Sequence, residues 1–259
     1  MLPYITVFGV ELPMYGLCMS FAISIALLLS WLRAKKRGLE ADSLVTIALF
    51  AITLGIVGSK LLFLFVTYSP AQIIEGFRAN GLSFFAESGL VFYGGLIGGV
   101  AGAFLGAAIF KKDLVAYCDS IVPTLPLAHA IGRMGCFCSG CCYGAETDAW
   151  YGMCFPYSVN GLDPLVKVIP TQLIESGANL IVFAFLMIFT LKKRRGCTTL
   201  FVYLMIYAVE RFLIEFLRGD EIRGIYFGLS TSQWISIALF AAGLTGLLLT
   251  RAHAKKQAV

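Results

Sequence analysis

The stretch 207–218 places Tyr207, Glu210, Arg211, Glu215 and Arg218 inside otherwise apolar sequence. Tyr207, Arg211 and Glu215 step by four and Arg218 follows by three, so on a helix of about 3.6 residues per turn they share one stripe. Two readings are open. Arg211 and Glu215 neutralise each other and pin one helix to a neighbour, or the stripe receives an anion. The tyrosine and second arginine on the same line favour an anionic headgroup, because a guanidinium presents a planar donor fork that matches phosphate.

The densest cluster runs from His129 through Gly132-Arg133-Met134-Gly135-Cys136-Phe137-Cys138-Ser139-Gly140-Cys141-Cys142. Arg133 between glycines reads as a loop in which a headgroup approaches the backbone and N–H groups cradle phosphate oxygens. Cys136, Cys138, Cys141 and Cys142 fall within seven residues and leave three options: a disulfide, a reactive thiol, or metal binding and plain packing. A closed zinc site wants four tetrahedral thiolates, and the adjacent pair Cys141-Cys142 makes that awkward. No metal and no cofactor is therefore expected. His129 is either a base or a packed interfacial side chain.

Other polar groups are isolated. Lys60 reads as a snorkelling lysine or a functional cation. Glu175 reads as a carboxylate answering the dipole of a first helical turn or as part of the site. Gly94, Gly98, Gly102 and Gly106 form a small-residue ridge for close helix approach. Tyr93 at the mouth of that ridge is a belt tyrosine or a hydroxyl directed into a cavity.

These residues need a scaffold, and the composition says which. Of 259 residues, 59% are hydrophobic and only 14% charged, with a mean hydropathy of +0.84. A water-facing domain carries about 25% charged residues, so the chain is an integral membrane protein. A disordered chain would be polar. Nucleic acid is excluded as a partner because the net charge is only +5 and basic residues sit in short clusters between apolar runs. The expected fold is all-α and polytopic.

Seven continuous apolar runs (14–32, 44–68, 90–110, 114–131, 171–191, 198–217 and 231–250) have the length a bilayer core requires. The fourth is the shortest and is interrupted by Pro123 and Pro126. None shows the period-2 alternation of a transmembrane barrel. Basic clusters follow the first, third, fifth and seventh runs and hold 13 of the 20 Lys and Arg residues. Positive charge stays cytoplasmic, which predicts an external N-terminus and a cytoplasmic C-terminus. No basic segment precedes the first run, so no cleaved signal peptide is expected. The chain reads as one seven-span domain, 1–259. Its one substantial extramembrane segment, 132–170, lies on the outer side.

Tyr15-Gly16, Tyr93-Gly94-Gly95-Leu96-Ile97-Gly98, Gly132-Arg133-Met134-Gly135, Pro170-Thr171-Gln172-Leu173-Ile174-Glu175 and Arg211-Phe212-Leu213-Ile214-Glu215-Phe216-Leu217-Arg218 follow one another along the chain. Their order and placement resemble prolipoprotein diacylglyceryl transferases, bacterial inner-membrane proteins with seven spans and an external N-terminus. The resemblance implies movement of the diacylglyceryl group of phosphatidylglycerol onto the thiol of a lipobox cysteine in an exported preprotein. Glycerol phosphate leaves and a thioether forms, on the outer side of the cytoplasmic membrane. It further implies that Arg133 and Arg211 hold the leaving phosphate and that Glu215 orients Arg211. Tyr15, Gly135, Tyr207 and Arg218 would line the lipid and headgroup cavity, while Gln172, Glu175 and Gln233 occupy family positions.

Three positions depart from the pattern. Tyr93 stands where the family's thiol-activating histidine is expected, Cys136 replaces an asparagine, and Cys141 replaces a glutamate. A tyrosine at Tyr93 would pass a proton only if its pKa came well below about 10. The arginine scaffold is thus intact while its polar helpers have changed. Two further readings follow: a relative that transfers lipid to another thiol acceptor, and a lipid-binding or transport protein that uses the arginines only to hold an anion.

Overall fold

The computed structural model describes residues 2–158, 161–194, 196–218 and 225–256. In chain order the elements are β1 (Tyr4–Val7), β2 (Val10–Pro13), α1 (Met14–Lys36), α2 (Ala41–Thr67), α3 (Pro70–Asn80), α4 (Leu82–Glu87), α5 (Phe92–Ile109), α6 (Leu114–Ile121), α7 (Leu125–Cys138), β3 (Met153–Cys154), β4 (Lys167–Val168), α8 (Thr171–Phe189), α9 (Thr198–Glu215), β5 (Ile225–Tyr226), β6 (Leu229–Ser230) and α10 (Thr231–Lys256). The protein is mostly helical and polytopic.

Among the described residues, six helical stretches are long and apolar enough to cross a membrane: Met14–Lys36, Ala41–Thr67, Phe92–Ile109, Leu114–Cys138, Thr171–Phe189 and Thr231–Ala252. Their outward faces carry exposed apolar side chains such as Leu49, Phe65, Phe104, Ile181 and Ile188, for which hydrocarbon is the good solvent. The sixth expected span, α9, has eighteen residues, but Glu210, Arg211 and Glu215 lie within it. Length and composition therefore do not select it.

Several expectations are corrected. The segment beginning at residue 132 is not a loop from its start, because α7 continues to Cys138 and Arg133 sits on a helix. The prolines of the fourth run produce a single 3-10 turn, Val122–Thr124, after which Pro126 enters the first turn of α7. There its missing N–H costs nothing, so the helix resumes. The segment 132–170 is not the one substantial stretch outside the apolar helices, since α3 and α4 form another. Ser69 and Gln72 start α3 with a reciprocal capping box. Three two-stranded antiparallel hairpins (β1–β2, β3–β4, β5–β6) interrupt the all-α picture.

The chain divides into two compact units, 31–117 and the pair of segments 1–30 and 118–259. In the first, α2 and α5 pack backbone to backbone. A Cβ on Gly94, Gly98 or Gly102 would strike the carbonyl of Gly58, Leu54 or Phe50, so the ridge is a packing seam. Ser59 Oγ donates to Val91 O at 2.8 Å and Val91 N donates to Ser59 O at 3.2 Å, closing the seam at the start of α5. Lys60 reaches the backbone of α4 and the residue after it. Its Nζ donates to the carbonyls of Phe85, Ala86 and Ser88 at 3.2, 2.7 and 3.0 Å, tying the C-terminal end of α4 to α2. A cation there meets carbonyls the helix leaves unpaired.

In the second unit, α7 packs on α8 and α9 on α10. Gly243 of α10 lies so close to α9 that a Cβ would come 2.9 Å from Phe201 O. Ser30 and Thr124 join α1 to the 3-10 turn through a buried hydroxyl pair 2.8 Å apart. The segment after α7 folds back over this unit. Phe155 is fully buried against Phe137 and Tyr143, while Gly144 N and Ala145 N donate to Ile169 O and Leu217 O.

Candidate functional site

The second unit concentrates its buried charge where α7, α8, α9 and the start of α10 meet. Glu175 is 1% exposed. It lies in the second turn of α8, one residue beyond the turn where a helix dipole would hold it, so the dipole reading is replaced by ion pairing. Its Oε2 pairs with Arg133 Nε from α7, and its Oε1 lies 4.0 Å from Arg218 Nη1. His129, one turn before Arg133, accepts from Arg133 Nε through Nε2 at 3.3 Å, and its ring lies tilted at 52° to that of Tyr207, with centroids 5.8 Å apart. The single Nε–H of Arg133 is thus shared between His129 Nε2 and the closer Glu175 Oε2.

Arg211 is held separately. Its Nη2 pairs with Glu215 Oε2 at 2.7 Å and donates to Ser232 Oγ at 3.1 Å. Glu215 Oε1 in turn accepts from Ser230 Oγ at 2.8 Å. Ser230 and Gln233 cap the start of α10 reciprocally, Ser230 N donating to Gln233 Oε1 and Gln233 N to Ser230 Oγ. The capping pair thereby fixes the hydroxyls that orient the Arg211–Glu215 pair. Arg211 Nη1 is buried and has no hydrogen-bond partner. An orphaned buried donor is costly, and here it belongs to a fork shaped for an oxyanion.

Arg133 and Arg211 come from different helices yet act electrostatically on the same four groups, His129, Glu175, Tyr207 and Glu210. Glu210 Oε1 accepts from Asn179 Nδ2 at 2.6 Å, and Asn179 Nδ2 also donates to Glu175 O at 2.9 Å. Sequence reasoning missed Asn179. The one signal in the sequence was an amide four residues after Glu175 in an otherwise apolar run; its full burial is seen only in the fold. Glu210 also lines an open groove of about 550 Å³ between α8, α9 and α10, otherwise walled by apolar side chains including Ile174, Met205, Val209 and Phe240.

The glycines beside Arg133 serve α1. A Cβ on Gly135 would come 2.9 Å from Cys18 Cβ and 3.4 Å from Tyr15, and one on Gly132 would come 3.2 Å from Met19 Sδ. Their N–H groups belong to the helix, so the phosphate cradle expected of a loop is not built here. Tyr15 lies in the first turn of α1 against this surface and feels the charge of Arg133. Arg218 follows the end of α9, where its N–H donates to Glu215 O at 3.2 Å. Tyr93 stands in the first turn of α5, beside Phe92 in the other unit.

All eight cysteines are free thiols. Cys136, Cys141 and Cys142 converge, their sulfurs all within 4.8 Å of one another, while Cys138 does not join them. Two left-handed residues make the convergence, Gly140 at φ +64° and Cys142 at φ +62°. Gln172 Nε2 donates to Cys141 O at 2.7 Å and Thr171 Oγ1 to Cys142 O at 2.8 Å, pinning both carbonyls to the start of α8. Adjacency of Cys141 and Cys142 is thus no obstacle to a shared site, against the expectation from spacing. Hydrogen bonds from Cys136 and Cys141 hold the Cys142 thiol well below the ordinary thiol range, with the Arg133 and Arg218 cations adding to the effect.

Comparison with known proteins meets this geometry from another direction. Residues 3–249 match the family profile described as prolipoprotein diacylglyceryl transferase. The chain is similar to phosphatidylglycerol–prolipoprotein diacylglyceryl transferase 2 of Clostridium perfringens, 35% identical over 244 residues, 92% of this chain and 91% of that one. Its similarity to the Clostridium tetani transferase is 33% over 243 residues, 92% of each chain. A Bordetella bronchiseptica transferase is 36% identical over 210 residues, 79% of this chain and 77% of that one. With matched length, buried arginines and ordered motifs in agreement, the chain belongs to the prolipoprotein diacylglyceryl transferase family.

Proposed function

We propose that this protein transfers the diacylglyceryl group of phosphatidylglycerol to the lipobox cysteine of a preprotein, releasing glycerol phosphate. The observation that carries the reading is the buried, unpartnered Nη1 of Arg211, beside a second arginine that acts on the same groups. Displacement at a glyceryl carbon places developing negative charge on the departing phosphate. Preorganised cations in a dry site stabilise such charge without reorganising. In this reading Arg133 and Arg211 hold the phosphate, Glu175 and His129 position Arg133, and Glu215 with Ser230 and Ser232 positions Arg211. Arg218, Tyr15 and Tyr207 line the headgroup cavity, and the groove at Glu210 admits an acyl chain.

The membrane arrangement forms part of the proposal. The α9 helix is the sixth of seven spans in chain order, because Glu210 and Arg211 are taken up by Asn179, Glu215 and Ser232 rather than left to lipid. The N-terminus and segment 132–170 lie outside the cytoplasmic membrane, the C-terminus lies inside, and the seven spans work as one domain with the site facing outward. Tyr93 and the thiols at Cys136 and Cys141 favour a second reading in which another thiol protein is the acceptor.

One assay tests both. Purified protein is incubated with phosphatidylglycerol and a lipobox peptide, and the peptide mass and free glycerol phosphate are measured. A thioether-linked diacylglyceryl peptide supports the first reading. Glycerol phosphate without modified peptide supports the second. Neither product, from folded protein in lipid, defeats transfer altogether.

A further inference from the structure

Sulfur alkylation needs a thiolate, and an ordinary thiol is mostly protonated at neutral pH. Around Arg133 and Arg211 three acceptors are already committed, while Glu210 keeps one buried oxygen, Oε2, without a hydrogen bond. Glu175 is paired with Arg133, the ring nitrogen of His129 faces the same guanidinium, and Glu215 is committed to Arg211 and Ser230. Next to them stand three thiols that the arginine scaffold does not use.

Their arrangement suits a soft cation. Three thiolates at a zinc–sulfur distance of about 2.3 Å in tetrahedral geometry stand about 3.8 Å apart. The sulfurs of Cys136, Cys141 and Cys142 already lie within 4.8 Å of each other, so side-chain rotation closes the difference. The backbone is held for this: Ser158 Oγ donates to Gly140 O at 2.7 Å, while Gln172 and Thr171 hold the carbonyls of Cys141 and Cys142. Among the described residues, no fourth His, Cys, Asp or Glu joins the three. Closed structural zinc sites have four protein ligands, whereas catalytic ones have three and an open position. The Arg133 and Arg218 charges act on Cys142 and offset the net negative charge of a zinc–trithiolate.

We propose that Cys136, Cys141 and Cys142 bind one zinc ion whose open position takes the acceptor thiol beside the phosphate clamp; the acceptor half rests on the transfer reading above. The three cysteines release their protons to water as the metal enters. The acceptor thiol releases its own on coordinating, as metal-bound thiols do. Its sulfur then attacks the glyceryl carbon, the carbon–oxygen bond breaks, and the electron pair leaves on the phosphate oxygen that the arginines hold. The neutral thioether is the weaker ligand and departs.

The test uses the full chain in detergent. Elemental analysis is expected to give about one zinc per chain, lost in Cys136→Ser and in Cys142→Ser and kept in Cys154→Ser. Cobalt-exchanged protein is expected to show thiolate-to-metal absorption that shifts with a cysteine-containing lipobox peptide and not with its serine analogue. Chelated protein should lose thioether formation and regain it with zinc. Metal-free protein that lacks the cobalt absorption and transfers lipid regardless of chelation overturns the zinc site and leaves the transferase reading intact. Bound zinc and a peptide-dependent cobalt shift without any thioether product keep the metal–thiol site and overturn the transfer reading instead.

Discussion

The two units solve opposite problems with opposite residues. In 31–117, α2 and α5 meet by removing atoms: glycines face backbone carbonyls, and the seam needs no charged side chain. In the unit built from 1–30 and 118–259, the interhelical space is filled by carboxylates, guanidinium groups, amides and thiols. A glycine seam is indifferent to electrostatics and sensitive to a single methyl group. A buried charge network is the reverse, since each member is tolerable only while its partners remain. The first pattern is what packing alone produces in lipid; the second is where the proposed chemistry would sit.

That contrast can be broken from either side. The largest effect is expected at Arg211: Arg211→Ala should lower lipid transfer by about 10²–10³-fold, the scale of removing one preorganised oxyanion donor. Arg133→Ala should match it in activity and also destabilise the fold by about 3–5 kcal/mol, because Glu175 is left buried without its principal partner. The double variant Arg133→Met with Glu175→Met should recover most of the thermal midpoint and none of the activity. Recovery of neither would mean that the pair does more than neutralise itself.

In the other unit Gly98→Val should cost about 1–3 kcal/mol by overpacking against Leu54 O, read as a lowered thermal midpoint in detergent. Protein that survives in membranes should keep its phosphatidylglycerol affinity. The smallest effect is expected at Lys60→Met, about 1 kcal/mol or less from the lost carbonyl contacts. Faster proteolytic cleavage within α3 and α4, with unchanged transfer, is the result to look for. A large loss of activity there would place Lys60 in the chemistry and erase the distinction between the units.

Membrane-spanning character, six of the spans and the small-residue ridge were legible in the sequence because each rests on a local property: run length, composition, or spacing on one helix. The stripe Tyr207, Arg211, Glu215 and Arg218 could be seen for the same reason. Helix periodicity says which residues share a face but not which of several neighbouring helices that face meets. Asn179 was therefore passed over, and Glu175 was left between a helix dipole and the site when its partners are arginines on other elements.

Residue types and their order, set by covalent sequence alone, determined that this is a family member with arginines placed among apolar helices. Only the tertiary structure decided that Arg133 lies on a helix rather than a loop, that its glycines receive α1, and that His129 is its acceptor. It also decided that three thiols meet while Cys138 stands apart. These depend on two left-handed backbone angles and on contacts between α7, α8, α9 and α10, and distances across space leave no trace in spacing along the chain.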